Sequence, residues 1–68
     1  MRNYLKLRAR IMEKYENQAN FAQRMNTSEV TISKKLNEKV PFTHNDIVKW
    51  CEALEIEQDD IGSYFFAS

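Results

Sequence analysis

Gln18-Ala19-Asn20-Phe21-Ala22-Gln23-Arg24-Met25-Asn26-Thr27-Ser28-Glu29-Val30-Thr31-Ile32-Ser33-Lys34-Lys35-Leu36-Asn37 carries the strongest architectural signal in the chain. It reads as two short helices joined by a tight turn. Asn17 is placed to cap the first, with Gln18 at its first helical position. Phe21, Ala22 and Met25 fall on one helical face, and Ala22 is small where a second helix would cross. Asn26 breaks the pattern; after glycine it is the residue type that best tolerates the left-handed conformation past a helix end. Ser28 offers a hydroxyl to cap the second helix, and Glu29 sits favourably in its first turn. Ile32 and Leu36, four apart, are its inward pair. Its other residues are polar, short or basic, so its outer face suits a hydrogen-bond-rich surface such as the major groove of DNA.

The residues before this stretch supply another helix. Asn3 is a candidate cap, and Leu7, Ile11 and Tyr15 repeat at four-residue spacing with Met12 alongside. Arg8 and Arg10 point away from that stripe, towards solvent or phosphate. Met1-Arg2-Asn3 is a candidate arm near a DNA backbone. After Leu36, Pro41 stops any continuation of the helix. Thr43 and Asp46 then form a capping box bracketed by Phe42 and Ile47 as a hydrophobic staple. In the fourth helix Ile47, Cys51 and Leu54 are expected to face the core, with Trp50 at the flank. Ile56 is expected to turn inward, and Asp59 to Tyr64 reads as a last short helix. Phe65-Phe66 reads as an exposed apolar patch for a second copy.

Phe21-Ala22, Met25-Asn26-Thr27-Ser28 and Thr31-Ile32-Ser33-Lys34 resemble the helix-turn-helix of the Cro/cI-type, or lambda-repressor-like, phage family. The segments Leu36-Asn37-Glu38-Lys39 and Pro41-Phe42-Thr43 are similar to its short variants in temperate phages and prophages. The resemblance runs from Leu7 to Phe66; where the family usually has glycine in the turn, this chain has Asn26. It implies an all-α, compact five-helix DNA-binding domain with the helix-turn-helix at about 18–37, binding operator DNA as a dimer. On that docking Glu29, Val30, Ser33 and Lys34 would read base edges. Gln18, Ser28, Asn37, Lys39 and Thr43 would meet phosphates. Phe65 and Phe66 would form the dimer interface. Lys35 and His44 are further candidates on the same side.

Composition sets limits on this reading. The 68 residues make one domain, 1–68, near the lower size limit for an independent core. One cysteine excludes an internal disulfide framework and suits a reducing cytoplasm. No apolar run is long enough to cross a membrane, and no signal peptide is visible. Formal net charge is zero, but residues 1–40 carry nine Lys/Arg against four acids, whereas residues 41–68 carry one base against six. Such a dipolar molecule can turn a basic face to phosphate. The single His and single Cys make no credible nucleophile–base pair and no four-ligand zinc site, and Asp59-Asp60 suits a helix start better than a metal. The chain is therefore not expected to be an enzyme, to carry a cofactor or metal, or to take a small-molecule substrate.

The expected function is a sequence-specific transcriptional regulator of Cro-like or short-repressor type, a homodimer on a near-palindromic operator in double-stranded DNA. Two rivals remain. One is a protein-interaction module, antirepressor- or antitoxin-like, that keeps the fold and works through Phe65, Phe66 and Trp50. The other is a non-specific DNA binder, disfavoured because Glu29 would be repelled by phosphate.

Overall fold

The computed structural model describes residues 4–66. Asn3 as a cap and the Met1–Asn3 arm lie outside these residues. Four α-helices follow in order: α1 (Leu5–Tyr15), α2 (Gln18–Arg24), α3 (Glu29–Leu36) and α4 (His44–Leu54). A C-terminal helical segment closes the chain, tight at Gln58–Asp60 and widened into a π-type turn at Gly62–Phe66. The architecture is all-helical, with α2 and α3 packed together as the helix-turn-helix reading requires.

The helix starts follow from side chains identified in the sequence. Asn17 Oδ1 accepts from the Asn20 N–H at 2.8 Å, and Ser28 Oγ from the Thr31 N–H at 3.1 Å. Thr43 Oγ1 accepts from the Asp46 N–H at 3.1 Å while Asp46 Oδ2 accepts from the Thr43 N–H at 2.9 Å, completing the capping box. α1 differs: Tyr4, at its cap position, is left-handed at φ 53° and makes no side-chain cap.

The ends of α2, α3 and α4 share one solution, reached without glycine. Asn26, Glu38 and Glu55 adopt φ of 56°, 60° and 54°. Each lets the following amide reach back across the helix end: Thr27 to the Ala22 carbonyl at 3.0 Å, Lys39 to Lys34 at 2.8 Å, Ile56 to Cys51 at 3.0 Å. This wrap satisfies carbonyls that the helix leaves open. Arginines on α1 satisfy others. Arg8 donates to the Leu36 carbonyl at 3.1 Å, at the end of α3. Arg10 donates to the Leu54 and Glu55 carbonyls at 2.8 and 3.1 Å, at the end of α4. Cations are also electrostatically favoured there, against the negative end of the helix dipole.

The core lies among α1–α4 and is closed by Phe65. Leu7, Ile11, Phe21, Ala22, Ile32, Leu36, Leu54 and Ile56 are buried as their spacing predicts. Trp50 is not at a flank: it is only 2% exposed. Its ring meets Phe21 and Phe42 edge-on, both at 4.8 Å between centroids, and Phe65 at 6.4 Å. The inward stripe of α4 is thus Trp50, Ala53 and Leu54, and Ile47 and Cys51 are left half-buried at its edge. The helix is turned this way because burying an indole removes more apolar area from water than burying a thiol.

Lys35, at the end of α3, forms an ion pair with Asp46 at the start of α4. Partial burial pushes the Asp46 carboxyl up, but hydrogen bonds from Lys35 and Thr43 and the charge of Lys35 outweigh it and hold the pKa below the ordinary 3.8. Its stabilising contribution is therefore complete above the unfolded-state value and is lost as pH falls through the lower folded-state value. Asp46→Ala is expected to lower stability by about 1–2 kcal/mol at neutral pH. In urea titrations at successive pH values, the gap from wild type should narrow as pH falls below the ordinary carboxylate range. Arg10→Ala should cost about 1–2 kcal/mol by removing two hydrogen bonds to carbonyls; in the same titrations Arg10→Lys should recover only part, since an ammonium lacks the guanidinium fork.

Candidate interaction surfaces

Two surfaces stand out, one polar and one apolar. The polar one is the outer face of α3. With Ile32 and Leu36 anchored inward, Glu29, Val30, Ser33 and Lys34 face outward and line a groove of about 420 Å³ together with Gln18, Asn37 and Lys39. Seven of the nine residues expected to contact DNA are gathered there. Ser28 and Thr43 are not; their hydroxyls accept the capping bonds of α3 and α4. Ser33 and Asn37 are also tied into the fold, for Asn37 Nδ2 donates to Ser33 Oγ at 3.2 Å and Asn37 Oδ1 accepts from Arg8 at 2.9 Å. Lys35 points away from the groove towards Asp46.

The apolar surface lies on the other side of α4. Ile47, Val48 and Cys51 from α4 meet Ile56, Ile61 and Phe66 from the C-terminal segment around a groove of about 530 Å³, with His44, Glu52 and Gln58 along it. Val48 is 41% and Phe66 56% exposed. Burial pushes the Cys51 thiol pKa up, so it lines the groove as a neutral, weakly polar group rather than as a nucleophile. A second cleft, under Tyr4 and Phe42, shares Ile47 and Phe66 with this groove and extends the apolar surface.

The pairing of Phe65 with Phe66 as one dimer patch is corrected. Phe65 is 1% exposed and packs edge-on against Phe42 at 5.2 Å, while Phe66 faces outward. Adjacent residues on a helical turn cannot point the same way, and the core takes the first of the two. The surface that a protein-interaction module was expected to use is corrected likewise, because Trp50 and Phe65 are both interior. Of that set only Phe66 is available. Ile47 and Cys51, which α4's spacing assigns to the core, line the groove instead. A signal for them exists in Ile47-Val48 and Cys51, which give α4 a second apolar stripe beside Trp50 and Leu54.

Among the described residues no group of acidic, His and Cys side chains could hold a metal ion, and no helix is long and apolar enough to cross a membrane.

The DUF739 family model, described as a protein of unknown function, matches residues 1–68. The chain belongs to this family. Comparison with curated proteins returned no match. Among solved structures, the modulator of repression (MOR) of the temperate bacteriophage TP901-1 from Lactococcus lactis is similar. It shares 44% sequence identity and superposes with a TM-score of 0.86 over 94% of this chain and 86% of that one. The likeness is to a phage regulatory protein, and it overturns the expectation of an operator-binding repressor. That relative carries a name for modulating repression and not for occupying an operator. The outward polar face of α3 is then a feature of the fold and not by itself a sign of DNA reading.

Phe65→Ala is expected to cost about 3–5 kcal/mol, comparable to the whole stability of a domain this size, roughly 3–10 kcal/mol. Phe66→Ala should change stability by less than about 0.5 kcal/mol. Thermal melts of the two variants side by side would separate core from surface.

Proposed function

We propose that this protein regulates a temperate phage's repression by binding the phage repressor, as a protein-interaction module and not as an occupant of the operator. The observation that carries this reading is its 44% identity, over nearly its full length, to a phage modulator of repression. The chemistry of the surface agrees with it. Glu29 stands at the leading end of α3, where phosphate would repel it. Arg8 and Lys35 are engaged with Leu36, Asn37 and Asp46. The charges that made residues 1–40 look like a phosphate-binding face are therefore partly spent on holding helices together. An open apolar groove, by contrast, is what protein partners bury.

The helix-turn-helix framework, similar to that of the Cro/cI-type family, serves here as scaffold. The site of action is the bacterial cytoplasm, where repressor and chain meet. A homodimer built on Phe65 and Phe66 plays no part, since Phe65 belongs to the core.

Calorimetric titration of the purified chain with the repressor encoded by the same phage should give saturable binding with a dissociation constant of about 1 μM or tighter. The chain alone should enrich no duplex from a random pool. Selection of a defined duplex by the chain alone, with no affinity for the repressor, would refute the reading.

A further inference from the structure

We infer that the groove between α4 and the C-terminal segment is the docking site, and that its occupant is an amphipathic helix of the repressor carrying Lys or Arg beside its apolar face. The inference rests on the repressor-binding reading and adds to it a surface and a partner chemistry.

The floor is built from Ile47, Val48, Cys51, Ile56, Ile61 and Phe66. It is contributed by α4 and by the segment that follows it, and an apolar groove of this kind is one into which a partner helix lays its apolar side chains. A volume of about 530 Å³ accommodates roughly two or three such anchors at i, i+3 and i+4.

The rim decides the charge of the occupant. Glu52 is the one acid that lines the groove, with His44 also along it; Glu57, Asp59 and Asp60 do not line it but lie exposed in sequence beside the lining residues Ile56, Gln58 and Ile61. None of these four acids forms a salt bridge among the described residues, whereas Glu55 close by is held by Lys14 at 2.7 Å. Over residues 41–66 the only Lys or Arg is Lys49. Like charges facing one another across an interface disfavour association, so an acidic helix is repelled, a neutral one gains nothing from the rim and a basic one is drawn in. A second copy of this chain could offer its own basic half, residues 1–40, to the same rim. That contact would join two different surfaces, so it would propagate into a chain of molecules and not close as a pair. The groove is therefore assigned to a foreign helix.

The test is calorimetric titration of the full chain and its variants with the same phage's repressor at two salt concentrations. Val48→Arg and Phe66→Ser probe the floor from its two sides, Glu52→Lys probes the rim, and Lys34→Glu probes the α3 face. All four positions are exposed, and unchanged melting curves check the fold. Val48→Arg and Phe66→Ser should each weaken binding about tenfold or more. Glu52→Lys should weaken it about threefold and flatten its salt dependence. Lys34→Glu should leave it unaltered. Full binding by the floor and rim variants, with loss on Lys34→Glu, would overturn the groove assignment and leave repressor binding standing. Absence of binding by the wild-type chain would defeat both. Self-association in sedimentation that Val48→Arg abolishes, with repressor affinity unchanged, would give the groove to a second copy and overturn the assignment.

Discussion

The edge-to-face contact of Trp50 with Phe21 and Phe42 is the interaction on which the rest of the molecule depends. Through it α4 is joined to α2 and to the loop after α3, and Phe65 closes over the same rings. Each such pair contributes about 0.5–1.5 kcal/mol beyond the area it buries. In a chain this short, few apolar residues are available and the surface is large relative to the interior. A linked set of aromatic rings answers that constraint. It also fixes the rotation of α4: with Trp50 turned inward, Ile47 and Cys51 come to the edge and Val48 to the outside. The apolar groove is thus a by-product of the core's geometry.

A second constraint is the scarcity of glycine. The chain has one, Gly62, and it does not stand at the end of any of the four α-helices. Asn26, Glu38 and Glu55 take the left-handed conformation instead, at a cost of about 1–2 kcal/mol each on simple steric grounds. The carbonyls so exposed are met by backbone amides and by Arg8 and Arg10 from α1. α1 therefore acts as a clamp across the ends of α3 and α4. This has a functional consequence: basic residues that the composition offers to a polyanion are partly engaged inside the protein.

Fold and function part company at α3. The helix-turn-helix geometry is real, with capped starts, a left-handed turn at Asn26 and an outward polar face. The same geometry is shared with a phage protein named for modulating repression and not for binding an operator. A polar helix face can lie against many surfaces, and its shape alone does not name the partner. The opposite side of α4, with an apolar floor and an acidic border, has the chemistry of a protein-binding surface.

The helices, their caps at Asn17, Ser28 and Thr43, the turn at Asn26 and most of the core are legible in residue order alone. These depend on local hydrogen bonds and on spacings of three and four, which are written directly in residue order. The sequence also turned Glu29, Val30, Ser33 and Lys34 outward, since Ile32 and Leu36 anchor the opposite face of α3. Only the tertiary structure decided which of Phe65 and Phe66 is interior, that Trp50 and not Cys51 faces the core, and that Arg8 and Arg10 close helix ends 28 to 45 residues away. Those outcomes arise from competition among distant groups for a limited interior and for open carbonyls, and periodicity within one helix carries no record of it.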